Sequence, residues 1–392
     1  MRLNFFRKLI IFFRLAAKCI LIFNNPKKKD VIFYDCLTAK LLPEILPYKA
    51  SYFILSTRVL NIKEIYITKK IVIYILKNFF KRSIKQNYLI ALILSISPKI
   101  VITRTDNSID FHITSKALKD KFRFIAIQNA NRGDTVYTPE SKTKDIFIPE
   151  FFCFSKYDEL LHKKKKCKIE KYKLIGSIYT SLFLEQIKEK RIKLDQEKYD
   201  VCLISEPHPI RSGDFSHVPK FEEAVGKVAK YTHELCKRKK LSLIFCGQGE
   251  PGNEMAEMEK LFYEKFLKEY NFQINVCSRD NFPTYRNMFQ SKIIIGHAST
   301  VLREAFAFEK KVLCCNFTNH PDIIFPSKGI CQLTDDTYEA FEARVEKILN
   351  IDKSEYFRNL EKNKNFILSD NSINSVNLIK KEISQNLDET AG

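Results

Sequence analysis

The chain has 392 residues, 45% of them hydrophobic, and carries 66 Lys and Arg against 46 Asp and Glu, a net charge of +20. This length suits two domains of about 150–200 residues each, and the apolar content excludes a disordered chain. The 11 cysteines show no C-x-x-C spacing, which argues against a disulfide framework and a zinc site and indicates a reducing compartment.

The basic excess is confined to the first half of the chain. Residues 1–195 contain 39 Lys and Arg against 17 Asp and Glu, a net charge of +22, whereas residues 196–392 contain 27 against 29, a net charge of −2. A one-sided basic field attracts an anionic partner, such as membrane lipid, a phosphorylated acceptor or nucleic acid. The alternative is a solvated, lysine-rich surface.

Residues 1–24 predict a basic amphipathic helix. On a helical wheel Arg7, Arg14 and Lys18 fall within an arc of about 40°, opposite an apolar face. Charges interrupt the apolar stretches, so neither a membrane span nor a signal peptide is expected. We expect the helix to lie on an anionic membrane surface, with the protein cytoplasmic and peripheral on the inner face of the cytoplasmic membrane. The alternative is a helix packed on the protein itself.

Apolar runs of strand length then alternate with helical segments. In the first half, strands are predicted at 30–35, 98–104, 122–128, 145–155 and 172–177, with helical segments within 62–95 and at 181–197. In the second half, strands are predicted at 199–205, 241–247, 274–278, 292–296 and 311–317, with helices at 221–239, 254–270, 284–290, 301–309 and 338–349. Continuous apolar strands flanked by helices indicate parallel sheets. The prediction is an α/β protein with two doubly wound, Rossmann-like domains, 30–195 and 196–365, facing a ligand-binding cleft, and a helical tail at 366–392.

A strand–loop–helix–strand unit at 292–317 is the most informative stretch. His297, Ser299 and Thr300 lie where the loop meets the helix, and free backbone N–H groups there attract phosphate. Glu304, one turn further on the same face, could accept hydrogen bonds from ribose hydroxyls. Arg303, which precedes Glu304 in the chain, is also predicted to bind the donor. The alternative is that Ser299 or Thr300 only caps the helix.

Two further loops follow strands of the second domain. The sequence GQGEPG begins with Gly247 and Gly249, whose backbone could approach donor phosphates, although its setting does not fit a dinucleotide fingerprint. In the loop 205–217, Arg211 could neutralise a diphosphate and His208 could donate to a phosphate oxygen. The alternative for this loop is a polar connection without a ligand.

A general base is expected among aspartates that follow first-domain strands, if the reaction inverts configuration. The candidates are Asp106, Asp110 and Asp134, with Asp110 preferred because it follows a strong strand. Each could instead cap a helix or form a turn. The chain has no D-x-D motif, so we expect no essential metal and no cofactor, with leaving-group charge held by helix N-termini and basic residues.

The pattern G-x-x-[ST]-[ST]-x-x-x-E-A at 296–305 resembles the donor-binding element of GT-B glycosyltransferases. IQNANRGD (127–134), FIPEFFCFSKYDELL (147–161) and KLIGSIYTS (173–181) are similar to bacterial surface carbohydrate biosynthesis proteins, relatives of CDP-glycerol glycerophosphotransferases and capsule sugar transferases. This chain has Ala130 where those families usually have Gly. The resemblance implies a GT-B fold and a nucleotide-activated donor bound mainly by the second domain.

The expected function is therefore transfer of a sugar from a CMP-, UDP- or CDP-linked donor to a surface-polysaccharide or glycolipid acceptor at the membrane. Four alternatives remain open: a glycerol-phosphate or polyol-phosphate transferase, a non-hydrolysing nucleotide-sugar epimerase, a nucleic-acid-binding protein, and an inactive scaffold. Nucleic-acid binding is not favoured, because the Lys and Arg residues are not interleaved with aromatics in a recognisable module.

Overall fold

The computed structural model describes residues 19–35, 45–47, 49–57, 62–132, 146–165, 167–189, 191, 197–206, 218–276, 282–323 and 325–389. They form two parallel six-stranded sheets and one small two-stranded sheet. Each large sheet has helices on both faces, which is the arrangement that continuous apolar strands require. Among the described residues, no helix combines the length and the apolar character that crossing a bilayer needs.

The first large sheet has the strand order β3-β2-β5-β6-β7-β8. Its strands are β2 (Val31–Tyr34), β3 (Tyr52–Leu55), β5 (Ile100–Thr103), β6 (Arg123–Ile127), β7 (Phe147–Cys153) and β8 (Lys168–Leu174). The helices of this half are α1 (Lys69–Lys77), α2 (Ile84–Ile96), α3 (Ile109–Leu118), α4 (Lys156–Lys164) and α5 (Ile178–Lys188). The strand order reverses between β2 and β5, which places a ligand-binding crevice at the carboxyl ends of those strands.

The second large sheet has the order β11-β10-β9-β12-β13-β14, the order of a Rossmann sheet. Its strands are β9 (Tyr199–Ile204), β10 (Leu243–Cys246), β11 (Ile274–Asn275), β12 (Ser291–Gly296), β13 (Lys311–Cys315) and β14 (Gln332–Leu333). Its helices are α6 (Phe221–Lys239), α7 (Glu254–Glu264), α8 (Pro283–Phe289), α9 (Thr300–Glu304), α10 (Tyr338–Asn350), α11 (Lys353–Arg358) and α12 (Lys364–Ile367). Here the order reverses between β9 and β12.

The last helix, α13 (Ser375–Glu389), returns to the first sheet. Val376, Ile379 and Ile383 share a buried cluster with Phe33 and with Ile102. The residues that alternate with these in the strands face the other side, where they pack against α2. The segment predicted as a helical tail is therefore one of the two layers that cover the first sheet.

The structure differs from the sequence prediction near the N-terminus. Residues Ile20–Ile22 form strand β1, which pairs in parallel with β4 (Glu64–Tyr66), so the helix predicted for 1–24 does not extend over them. The run ILI is β-branched and apolar and finds a partner strand, which favours extended backbone over helix. Residues 1–18, which carry the charges of the predicted helix, lie outside the described residues.

Two other elements also differ. No strand is predicted from the sequence at Tyr52–Leu55, yet these residues form β3 at the edge of the first sheet. The helix predicted for 254–270 ends at Glu264. Helix α6, by contrast, has the predicted bounds Phe221–Lys239.

Candidate functional site

The carboxyl ends of the two large sheets face each other across a short distance. The loop after β6 contacts the loop after β12, because the backbone N–H of Asn131 donates to the Thr300 hydroxyl at 2.9 Å. The Asn131 side-chain amide also lies 3.5 Å from the Ala298 carbonyl oxygen. The motif IQNAN and the predicted donor-binding loop are thus in direct contact at the interface between the domains.

The loop between β12 and α9 holds a negatively charged oxygen. The backbone N–H groups of His297 and Ala298 both donate to the same carboxylate oxygen of Glu206, each at 2.7 Å. Glu206 follows β9, so this contact spans the point where the order of the second sheet reverses. Distances of 2.7 Å are typical of charge-assisted hydrogen bonds, and the loop is therefore shaped to bind an anionic oxygen.

His297 lies beneath this loop with a buried side chain. Its Nδ1 contacts the carbonyl oxygen of Cys315, which can only accept, so Nδ1 carries the proton. Burial lowers the pKa of His297 to about 4, although the hydrogen bond to Cys315 acts in the opposite direction. The imidazole is therefore neutral at neutral pH. Its buried Nε2 has no hydrogen-bond partner among the described residues.

Ser299 and Thr300 have different roles in the structure. Ser299 is the N-cap of α9, and its hydroxyl accepts from the Val301 N–H at 3.4 Å, as the capping alternative predicts. Thr300 contacts the first domain through Asn131, as described above. Their binding of a donor stays a prediction.

Glu304 lies in the interface between the domains. One carboxylate oxygen accepts from the Ser177 hydroxyl and the other from the Tyr285 hydroxyl, the latter at 2.7 Å. Burial raises the pKa of Glu304 above its ordinary value and outweighs these two hydrogen bonds. Both oxygens are thus engaged within the protein, so ribose hydroxyls would have to displace Ser177 or Tyr285. The predicted contact between Glu304 and a ribose therefore stays a prediction.

Arg303 forms a buried ion pair between the domains. Its guanidinium lies 2.6 Å from Asp158 of α4, and the two side chains are 1% and 0% exposed. It also donates to Ser155 Oγ and Asn131 Oδ1, each at 3.0 Å, and to the Ile367 carbonyl oxygen. All three guanidinium nitrogens thus donate hydrogen bonds within the protein. In the structure Arg303 therefore joins the two domains and does not face an open ligand position.

Asp158 is held in its charged form by this network. Burial raises the pKa of its carboxyl, but the charge of Arg303 and the hydrogen bonds from Arg303 and Gln128 outweigh burial and leave the pKa below its ordinary value. The Gln128 amide donates to Asp158 at 2.7 Å. The segments 127–134 and 147–161, which carry the family resemblance, are thereby joined at the Asp158 carboxylate.

The predicted catalytic aspartates occupy different places. Asp106 is buried and accepts from Arg132 through both oxygens, with the Nε contact at 2.9 Å, so it holds the loop after β6 in position. Asp110 lies in the first turn of α3 and pairs with Lys85 of α2 at 2.7 Å. None of its described contacts reaches the second domain. Asp134 lies outside the described residues, and the assignment of a base stays a prediction.

The glycine-rich loop at 247–252 is hydrogen-bonded to α7 of its own domain. The backbone N–H groups of Gln248 and Gly249 donate to the buried Glu259 carboxylate at 3.0 and 3.1 Å. A Cβ at Gly249 would lie 2.5 Å from the Ala256 backbone, and a Cβ at Gly247 2.7 Å from an Ile274 methyl. Close packing thus explains both glycines, and their predicted contact with donor phosphates stays a prediction.

His208 and Arg211 fall in 207–217, outside the described residues. Four further residues of the candidate site are not predicted from the sequence: Ser177, Glu206, Asn131 and Tyr285. Three of them stand directly after strands or within quoted motifs, a position typical of functional residues in such sheets. Tyr285 lies within a helix and gives no such signal.

Among the described residues, no group of three or more His, Cys, Asp or Glu side chains could hold a metal ion. The geometry therefore offers an anion-binding loop, a neutral histidine and a polar interdomain wall.

Comparison with solved structures identifies the fold. A UDP-GlcNAc 2-epimerase from Neisseria meningitidis bound to UDP-GlcNAc has a TM-score of 0.55 at 14% identity, over 92% of this chain and 99% of that chain. A UDP-GlcNAc 2-epimerase from Methanocaldococcus jannaschii in complex with UDP-GlcNAc and UDP has a TM-score of 0.52 at 12% identity, over 90% and 99%. The S. aureus MnaA–UDP structure has a TM-score of 0.52 at 14% identity, over 93% and 97%.

The chain has the GT-B fold, two Rossmann-like domains that face each other across a cleft. No protein-family model matches the sequence, and comparison with curated protein sequences finds no match. At these identities the likeness establishes the fold, and the reaction is inferred from the site.

Proposed function

We propose that this chain is a nucleotide-sugar enzyme that transfers a sugar from a CMP-, UDP- or CDP-linked donor to a surface-polysaccharide or glycolipid acceptor at the membrane. The observation that carries the proposal is the pair of amides at His297 and Ala298, which hold an anionic oxygen where the order of the second sheet reverses. A donor phosphate presents the same charged oxygen, and ligands of open α/β sheets bind at this position.

The proposed acceptor side is the first domain. Its loop after β6 contacts Thr300 beside the predicted donor-binding loop, and its half of the chain carries the whole basic excess. A basic domain favours an acceptor that is phosphorylated or bound to anionic lipid. The neutral His297 side chain donates its one proton to Cys315, so its Nε2 can only accept a hydrogen bond and the phosphate is held by the backbone amides instead.

A second candidate is a non-hydrolysing nucleotide-sugar epimerase, favoured by the fold likeness to UDP-GlcNAc 2-epimerases. It needs no acceptor and no membrane. Incubation with a soluble nucleotide-sugar alone separates the two, because an epimerase converts it to its epimer whereas a transferase requires an added acceptor.

Thermal unfolding with a panel of CMP-, UDP-, GDP- and CDP-linked compounds tests donor binding, with CDP-glycerol included for the polyol-phosphate alternative. At about a hundred times its Kd, the correct ligand stabilises the folded state by about 2.7 kcal/mol, which raises the Tm by several degrees. Stabilisation by one nucleotide class is the expected result. No shift with any member, in a cooperatively folded protein, contradicts donor binding.

Replacement of Glu206 by glutamine tests the anion-binding loop. The donor phosphate must displace the Glu206 carboxylate from the two amides, and a charge-assisted hydrogen bond exceeds a neutral one by about 1 kcal/mol or more. We therefore expect E206Q to bind the nucleotide about tenfold more tightly in calorimetric titration. The matched control is E254Q, since Glu254 is exposed on α7, and its affinity stays that of the parent protein. Unchanged or weaker binding by E206Q shows that the phosphate does not occupy these amides.

A further inference from the structure

Helix α1 has two apolar faces, and only one of them is used by the core. Ile71 is buried, and Tyr74 and Ile75 pack beside it against the buried cluster that includes α2. The opposite face carries three exposed aliphatic side chains: Val72, Ile73 and Leu76. At about 100° per residue these three fall within an arc of about 100°, so they form one continuous stripe.

The apolar stripe continues into the turn that follows the helix. Phe80 is 99% exposed, and its ring contacts that of Phe79 at 5.3 Å in an edge-to-face arrangement. Leu76 is 68% exposed, and Ile84 at the start of α2 is exposed as well. Clustered large apolar side chains in water mark an interaction surface rather than ordinary surface variation. Residues 69–85 are referred to below as the α1–α2 corner.

The charges around this corner have one sign. Residues 65–105 contain eight Lys or Arg and no Asp or Glu. Six of these cations belong to the α1–α2 corner: Lys69, Lys70, Lys77, Lys81, Arg82 and Lys85. Among the described residues, Lys85 pairs with Asp110 of α3 at 2.7 Å, and no ion pair joins an acidic side chain to the other five. Five cations thus remain to surround the apolar stripe.

An apolar stripe surrounded by cations matches an anionic bilayer. The interfacial region accepts aromatic and aliphatic side chains, and anionic headgroups attract each nearby Lys or Arg. A second copy of the chain fits poorly, because a two-fold contact through the same surface would bring the two sets of cations together.

We propose that the α1–α2 corner docks the first domain on an anionic lipid bilayer, with Leu76, Phe79 and Phe80 inserted at the boundary between headgroups and acyl chains. The α1–α2 corner contains none of the residues 1–18. The inference deepens the proposed function, on which its biological meaning rests, because it places the acceptor domain against the membrane. Its test requires no reaction.

The chain contains no tryptophan, so one introduced tryptophan reports its own surroundings. In the full chain, F80W should show a blue-shifted emission on addition of phosphatidylcholine vesicles containing phosphatidylglycerol, and quenching by brominated acyl chains in those vesicles. The matched control is L261W, since Leu261 of α7 is 59% exposed on the second domain, and its emission should not change. A spectrum of F80W that is the same with and without vesicles overturns the proposal.

Vesicle sedimentation provides the second measurement. The double variant L76S/F80S should bind the phosphatidylglycerol vesicles at least about tenfold more weakly than the parent protein. The variant K77Q/K81Q should lose about fivefold per charge removed, whereas L261S and K260Q bind as the parent protein does. All six substitutions in these four variants lie at exposed positions, so folding is retained and is checked by circular dichroism.

The remaining outcomes are also decisive. Equal vesicle binding by L76S/F80S and the parent overturns the proposal. The proposal is also overturned if the parent protein does not bind vesicles but forms a dimer that the L76S/F80S substitutions disrupt. Nucleotide-induced stabilisation of L76S/F80S should equal that of the parent. Vesicle binding without any nucleotide response retains this surface and rejects the proposed reaction, so the two failures are distinguishable.

Discussion

Replacement of Asp158 by alanine should lower the free energy of unfolding by about 3–5 kcal/mol, because it leaves the Arg303 guanidinium buried without its counter-ion. Both side chains are almost completely excluded from solvent. Ser155, Asn131 and the Ile367 carbonyl would still accept hydrogen bonds from Arg303, but none of them carries a charge. Urea denaturation followed by circular dichroism measures the loss.

A double-mutant cycle isolates the ion pair. R303M in the D158A background removes the unpaired cation, so the double variant should be less destabilised than the sum of the two single variants. The matched control is E346A, which breaks the exposed pair between Lys239 and Glu346, at 2.6 Å with both side chains 42% exposed. An exposed pair contributes at most about 1 kcal/mol. A loss in D158A as small as that in E346A contradicts the assigned role of Arg303.

The same pair gives the stability a defined dependence on pH. The pKa of Asp158 lies below that of an aspartate in the unfolded chain, which is about 3.9. The contribution of the Asp158–Arg303 pair to the free energy of unfolding is therefore fully present above about pH 4. It is lost as the pH falls through the pKa that Asp158 has in the folded protein. D158A lacks this acid-sensitive component, so the difference in stability between it and the parent should shrink at low pH.

Replacement of Gly176 by alanine should destabilise the fold by several kcal/mol. Gly176 has φ +72°, and an added Cβ would lie 2.2 Å from the Ser372 Cα. The left-handed conformation costs a non-glycine residue about 1–2 kcal/mol, and the overlap with backbone must be relieved by moving the chain that precedes α13. That movement would also shift Ser177, which donates to Glu304.

Gly252 supplies a control for the backbone contribution. It has φ +75°, but an added Cβ meets nothing within 4 Å. The free energy of unfolding of G252A should therefore fall only by the cost of the left-handed backbone conformation, about 1–2 kcal/mol. The difference between the two variants in thermal or urea unfolding measures the close approach at Ser372. Equal losses in G176A and G252A would show that the tail does not pack tightly on this turn.

The sequence specified most of the second domain. Helix α6 and strand β12 were predicted almost residue for residue, because long amphipathic runs and β-branched runs carry strong periodic signals. Strand β3 was missed, since it has four residues and lies at a sheet edge, where one face is left unburied and the apolar pattern is weak. The extended conformation of Ile20–Ile22 depends on β4, a partner more than 40 residues away.

Two of the segments that the sequence predicted to form the site contact each other in the structure, and the binding roles of their residues stay predictions. The strand–loop–helix unit at 292–317 and the motif IQNAN meet across the cleft, as expected from strands that end at the same edge. The individual assignments depended on directions that sequence does not encode. Arg303 and Glu304 are adjacent in α9, and both point into the domain interface, where Asp158, Ser177 and Tyr285 already bind them.

By itself the sequence determined the two-domain α/β architecture and the basic first half, because these follow from periodicity and charge. Only the tertiary structure decided which polar side chains form hydrogen bonds or ion pairs within the domain interface and are therefore not available to a ligand. It also decided that Glu206 occupies the His297 and Ala298 amides and that one face of α1 stays uncovered. The physical reason is that hydrogen bonding and burial depend on which residues meet in space, and most of these contacts join segments far apart in the chain.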